Sequence, residues 1–266
     1  MFVTDFTYDG ASLSSKGYMV CDFGSSGDTA EGSQLTFNTV PINKGQLFLL
    51  ADTKYEQCLT TTFCICKNPC HVAAQENLKL TPSEVSTLSR WLNKKTFRPL
   101  TFSGTEWANI NFEASFNIKV MEIGGETYGL ELEMITNRPF ATKTAVTQTL
   151  TFTSDALTKT FTDTSDEIGY VYPTSFTITP IGAGNISITN AMENRTTTIK
   201  NCAANETITI TYPTIASSVG THNLSEDFNY VFPRISNTSA NSVNSFTASA
   251  PCTVVFTYKP IIKVAL

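Results

Sequence analysis

The chain has 266 residues, with 18 Lys and Arg against 23 Asp and Glu, a formal net charge of −5 and no basic run longer than Lys94-Lys95. A counterion-releasing nucleic-acid footprint is therefore not expected, nor is a membrane span, since the longest local apolar run, Leu47 to Ala51, falls far short of the ~20 residues a crossing helix needs. Hydrophobic residues at 41%, with 18 Phe, supply enough apolar mass for two cores and exclude disorder for most of the chain.

Charged residues make up 15% of the chain, below the roughly 25% of an average globular protein, and Thr, Ser and Asn take their place. Those residues favour pleated strands over helices. The start, Met1-Phe2-Val3-Thr4-Asp5, has neither a basic nor an apolar leader region, so the expectation is cytoplasmic synthesis without a signal peptide and 7 Cys held as thiols.

In chain order, strand-like runs occur at Leu35 to Val40, Leu47 to Leu50, Leu59 to Cys66, Arg98 to Phe102, Asn109 to Met121 and Tyr128 to Ile135. Between the third and fourth lies Thr81-Pro82-Ser83-Glu84, an N-cap Thr followed by Pro at the first helical position and Glu at the third. Val85, Leu88, Trp91 and Leu92 then recur at helical spacing, predicting a helix that lays one stripe on a sheet and ends near Lys94-Lys95. Gly124-Gly125 sits between the last two runs and predicts a tight hairpin, because such a turn needs positive φ angles.

The texture changes at Asn137-Arg138-Pro139-Phe140. Residues 1–140 carry 15 acidic and 11 basic side chains, and residues 141–266 only 8 and 7. Pro139 also breaks a strand ladder, so the domains are expected to be 1–140 and 141–266. The second part alternates with period two at Ser175 to Thr179, Asn185 to Thr189, Thr207 to Thr211 and Thr253 to Tyr258, as half-buried antiparallel strands do, and Pro, Gly and Asn punctuate it at the spacing of a β-sandwich.

Candidate chemistry is sparse. Cys58, Cys64, Cys66, Cys70 and His71 lie within fourteen residues but lack paired C-x2-C knuckles, so buried thiols are preferred to a metal site. Cys64 and Cys66 flank Ile65 and should point together into a core. His71 and His222 are the two bases available to a nucleophile, and neither sits in a catalytic motif; His222, in Gly220-Thr221-His222-Asn223, reads as a surface loop residue. Carboxylate pairs occur at Glu131/Glu133, Asp166/Glu167 and Glu226/Asp227; the first alternates with Leu130, Leu132 and Met134, so it reads as a solvated or interface face opposite the core and not as a glycosidase pair. No catalytic residue, cofactor or metal is expected, and no enzyme. The Asn-x-Ser/Thr triplets at Asn185, Asn194, Asn205, Asn223 and Asn237 follow from a composition rich in those residues. Tyr170, Tyr172, Tyr212 and Tyr230 are candidates for stacking on sugar rings, against the plainer reading that they close strand ends before prolines.

Taken in order, several segments resemble the distal tail (Dit) family of long-tailed bacteriophages. In the first part these are Phe6-Thr7-Tyr8-Asp9-Gly10, the hairpin-like Thr39-Val40-Pro41-Ile42-Asn43-Lys44-Gly45, Cys66-Lys67-Asn68-Pro69-Cys70, the helix ending Arg90-Trp91-Leu92, Phe97-Arg98-Pro99-Leu100-Thr101-Phe102, and Gly129-Leu130-Glu131-Leu132 through Asn137-Arg138-Pro139-Phe140-Ala141. In the second they are Asn229 to Ile235 and Cys252 to Pro260. The resemblance implies a mainly β chain: an N-terminal β-sandwich or barrel-like domain with one packed helix, then a galectin-like β-sandwich. It implies a homohexameric ring at the tail tip, between the major tail or tube protein and the tail-associated or fibre protein, with outward sandwiches that carry receptor-binding protein or touch host-wall glycan. The location implied is the virion tail, assembled in the bacterial cytoplasm. Thr39 to Gly45 would be the element reaching a neighbouring subunit; its tip offers only Lys44 where related proteins often carry Arg. The rival reading is a free carbohydrate-binding or adhesin-type sandwich.

Overall fold

The computed structural model describes residues 3–21, 32, 34–72, 78–238 and 241–264. The chain divides into two compact units, one of Met1–Thr142 with Lys263–Leu266 and one of Lys143–Ile262.

The first unit contains β1 (Phe6–Tyr8), β2 (Ala11–Ser12), β3 (Tyr18–Cys21), β4 (Leu35–Ile42), β5 (Leu47–Tyr55), β6 (Thr60–Lys67), α1 (Pro82–Leu92), β7 (Arg98–Phe102), β8 (Ile110–Ile123) and β9 (Glu126–Thr136). Seven strands run in the order β2-β1-β7-β8-β9-β6-β3, and β4 pairs with β5 in a separate ribbon. The β8–β9 turn brings Ile123 opposite Glu126 across Gly124 and Gly125, at φ 62° and 81°. Glycine, without a Cβ, holds such angles at little cost.

Aromatic rings fill the core of this unit. Phe6 meets Phe63, Trp91, Phe102 and Phe116 at centroid distances of 5.8 to 6.5 Å. The helix joins this cluster because its sequence starts and stops it locally. The Glu84 N–H donates to Thr81 Oγ1 at 3.3 Å while the Thr81 N–H donates to Glu84 Oε2 at 2.7 Å, which completes the capping box. Leu88 and Leu92 are buried, at about 1.5–3 kcal/mol each. Trp91 stacks on Phe6, and its Nε1–H donates to the Tyr8 carbonyl at 3.2 Å. The helix ends before Lys94-Lys95 because Asn93 leaves it to donate to the Phe116 carbonyl at 2.8 Å.

A short β10 (Ala141–Lys143) lies where the chain passes from one unit to the next. The second unit contains β11 (Val146–Phe152), β12 (Thr158–Thr162), β13 (Gly169–Val171), β14 (Ser175–Pro180), β15 (Gly184–Asn190), β16 (Arg195–Cys202), β17 (Ile208–Thr211), β18 (Thr214–Ser217), α2 (Leu224–Asp227), β19 (Ile235–Asn237), β20 (Val243–Ala248), β21 (Cys252–Tyr258) and β22 (Ile261–Ile262). One sheet runs β11-β21-β14-β17-β18, another β12-β20-β15-β16, and β13 pairs with β19. Both larger sheets contribute to one core that includes Phe152, Phe161, Phe176, Ile186, Phe246 and Phe256. This is a β-sandwich.

The Thr-rich composition has its explanation here. Along β14, Phe176 and Ile178 point inward while Ser175, Thr177 and Thr179 alternate outward. Hydroxyls then pair across strands, Thr147 with Thr257 at 2.8 Å, Thr189 with Thr196 at 2.9 Å and Thr158 with Thr247 at 3.0 Å. Two of the Asn-x-Ser/Thr asparagines, Asn194 and Asn205, occupy left-handed turn positions at φ 50° and 59°. Among the described residues, no helix is long and apolar enough to cross a membrane.

Candidate functional site

Thr39 to Gly45 forms the end of β4 and the turn that follows, within a ribbon that runs from Leu35 to Tyr55. Asn43, Lys44 and Gly45 turn it through three successive positive φ angles, and Lys44 stands at the tip. Cross-strand partners are Thr39 with Leu50, Val40 with Leu49, Pro41 with Phe48 and Ile42 with Leu47. One face thus carries Val40, Ile42, Leu47 and Leu49, and the other Pro41, Phe48 and Leu50. Both are apolar and both are in water: Leu49 on the first is 52% exposed and Phe48 on the second 60%. The signal for this was the run Leu47-Phe48-Leu49-Leu50, which loads both faces where alternation would load one.

The cysteines take another arrangement. In β6, Phe63 and Ile65 face the aromatic core, so Cys64 and Cys66 share the opposite face and are half-buried. The expectation that they point together into a core is corrected in that respect. Cys21 lies opposite Cys64 across the β3–β6 pairing, and its hydrogen bond lowers the Cys66 pKa against the rise that burial brings. Cys70 and His71 are exposed, and Cys58 is half-buried. Among the described residues no group of three or more His, Cys, Asp or Glu is placed to hold a metal ion.

Glu131 and Glu133 lie on the face of β9 opposite the core, as the alternation indicates. Glu131 sits across from Lys119, whose Nζ donates to it at 2.8 Å, and Glu133 accepts from Asn117 Nδ2 at 3.0 Å.

His222 is the other correction: its side chain is buried. Nδ1 donates to Glu206 Oε1 at 2.5 Å and Nε2 donates to the Lys200 carbonyl at 2.9 Å, with 3% of the His side chain and none of the Glu side chain exposed. Asp227 Oδ2 stands 3.4 Å from Nε2. Glu206 also accepts from the Ser217 hydroxyl and from the Ala203 N–H at 2.7 Å. Burial alone would lower the His222 pKa, but the hydrogen bond and charge of Glu206 outweigh it and raise it. Burial would raise that of Glu206, yet bonds from Ser217, His222 and Ala203 bring it down. A carboxylate facing Nδ1 and a carbonyl facing Nε2 both favour the protonated imidazole, and Ser217 gives its proton bond to Glu206 and not to the ring. The cluster works as a clamp between β16, β18 and α2. Nothing local in the sequence joins His222 to a carboxylate sixteen positions earlier.

Tyr170 and Tyr172 come together with the sequence-distant Tyr212 at one place in the second unit. Tyr172 and Tyr212 stack at 4.1 Å with planes 10° apart, and Tyr170 meets Tyr172 edge-on at 5.6 Å. Tyr230 belongs to the same run of rings through Phe228 and Phe232. Arg234, which carried no sequence signal, stands over Tyr170 and donates to Glu193.

Residues 1–138 match the family described as phage tail protein N-terminal domain, and residues 140–258 the family described as phage tail C-terminal domain. The chain belongs to this phage tail protein family. It is therefore a structural component of a bacteriophage tail. Its fold is that of the SPP1 phage Dit (gp 19.1) protein, described as a paradigm of the hub adsorption apparatus in phages infecting Gram-positive hosts. The likeness has a TM-score of 0.68 at 12% identity and covers 97% of this chain and 99% of that one. No curated protein sequence matches the chain.

Proposed function

We propose that this phage tail protein forms a homohexameric ring at the tail tip, linking the tail tube of major tail protein to the tail-associated or fibre protein and to receptor-binding protein. The observation that carries the reading is the β4–β5 ribbon. An isolated two-stranded ribbon is marginal in water, and one that exposes Phe48, Leu49 and Leu50 is short of a partner on each face. A neighbouring copy supplies that partner. Full burial of each such side chain contributes about 1.5–3 kcal/mol before ordering costs. A head-to-tail interface of this kind closes into a ring when the rotation per copy returns on itself.

In this reading residues 1–140 make the ring contacts, with Thr39 to Gly45 leading the ribbon across, and residues 141–266 project outward. Assembly takes place in the bacterial cytoplasm before the tail is complete. Six copies at −5 carry −30, so acidic side chains lining a bore would repel DNA in transit and keep it from sticking.

Light scattering on the purified chain tests the proposal. A mass six times that of the chain is expected, with residues 1–140 alone still associating and residues 141–266 alone monomeric. A full-length monomer throughout the micromolar range contradicts it and favours a free adhesin.

A further inference from the structure

Outside the ribbon, the second unit carries a strip of six rings in successive contact. It runs Tyr170, Tyr172, Tyr212, Phe232, Phe228, Tyr230, with centroid steps between 4.1 and 5.6 Å. Phe228 is 3% exposed and belongs to the sandwich core, so it anchors the strip. Tyr170, Tyr212 and Tyr230 are each more than half exposed. A core role does not account for rings left this far in water.

The strip is also held rigid. The Arg234 guanidinium lies 3.7 Å over the Tyr170 ring, and its Nε donates to Glu193 Oε2 at 3.0 Å. Arg195 Nε is spent on the Phe232 carbonyl at 2.9 Å. The result is a fixed aromatic ledge with a planar donor group and a carboxylate acceptor at one end, their charges balanced.

We propose that this ledge is a carbohydrate-binding site for a neutral hexose or N-acetylhexosamine polymer. One face of a pyranose presents C–H groups, which pack against the electron-rich face of a tyrosine ring. Its edge presents hydroxyls that both donate and accept, whereas Arg234 supplies donors only and Glu193 acceptors only, so the pair serves both needs. The balanced pair gives no preference to an anionic ligand. Size separates a sugar from a protein partner. An aromatic side chain covers about 150–250 Å² when fully buried, so three half-exposed rings offer on the order of 300 Å², well below the roughly 800 Å² per partner of a stable protein interface. That area suits one or two sugar rings. The inference does not depend on ring formation, since monomer and hexamer alike carry the ledge.

The test uses the full-length chain on an array of short neutral oligosaccharides of hexoses and N-acetylhexosamines, with polyglycerol phosphate as the anionic counterpart. Saturation-transfer NMR then follows any ligand retained. The expected result is retention of at least one neutral oligosaccharide, about tenfold weaker binding in Tyr170→Ala and in Tyr212→Ala, and near-full binding in Tyr170→Phe, with melting temperature unchanged in the Tyr170 variants. Tyr170 keeps the test decisive if Tyr212→Ala does not fold. Retention of polyglycerol phosphate alone, binding equal in wild type and Tyr170→Ala, or no oligosaccharide retained overturns the proposal. Light scattering on the same sample reports ring formation separately.

Discussion

The first unit contains two long antiparallel ribbons of opposite chemistry. In β8–β9, apolar and polar residues alternate: Leu130, Leu132 and Met134 are fully buried, and Glu131 and Glu133 on the other face meet Lys119 and Asn117. In β4–β5 the alternation is lost, and leucines and a phenylalanine stand in water on both faces. Strict alternation marks a ribbon whose needs are met by its own chain. A ribbon apolar on both sides leaves those needs unmet within its own unit, and the proposed ring would meet them.

The largest effect that separates the two is on assembly. Phe48→Asp with Leu50→Asp should abolish the ring, seen as monomer by light scattering, while leaving the melting temperature of the monomer almost unchanged. Loss of monomer stability with the ring intact would break the comparison. Ion pairs offer the same contrast of met and unmet environments. His222→Ala leaves Glu206 buried without its cation and should cost about 3–5 kcal/mol in denaturant unfolding. Lys119→Ala, on the solvent face of β8, should leave the unfolding midpoint where it is.

The clamp also has a pH signature. The folded pKa of His222 is raised above its ordinary 6.5, so the stability it brings is complete below pH 6.5 and is lost as pH rises through the folded value. Glu206 is held below its ordinary 4.5, so its contribution is complete above pH 4.5 and is lost as pH falls through its folded value. Melting temperature should therefore be highest between these limits, and His222→Ala should flatten the alkaline side. Asp227, 3.4 Å from the ring, works in the same direction.

Leu132→Ala, in the ribbon whose core face is buried, should cost about 2–5 kcal/mol in urea, whereas Leu50→Ala should cost little in the monomer and weaken only association. A smaller loss falls on the capping box, where Thr81→Ala should cost about 0.5–2 kcal/mol by the same measurement.

What was legible in the sequence follows the range of the interactions. The α1 start was legible because Thr81, Pro82 and Glu84 act within one turn, and β7 because Arg98 to Phe102 is short and bounded. The second unit's strands were legible wherever Thr alternated with Ile or Phe. Period two separates two faces without saying which is inside, and for Phe63-Cys64-Ile65-Cys66 both are apolar, so the thiols were turned the wrong way. The His222 clamp and the placing of Arg234 between Tyr170 and Glu193 depend on residues brought together by the fold, which leaves no local trace. The β4–β5 ribbon is longer than expected because pairing of Asp52 to Tyr55 with Leu35 to Asn38 extends it where the pattern of β5 turns polar.

The proposed ring stands or falls with the ribbon as an interface between copies. Hydrogen exchange of the β4–β5 amides at increasing protein concentration measures this directly. Exchange should be fast in the monomer, with protection that grows with the hexameric fraction. A hexamer whose β4–β5 amides exchange as fast as those of the monomer would contradict it.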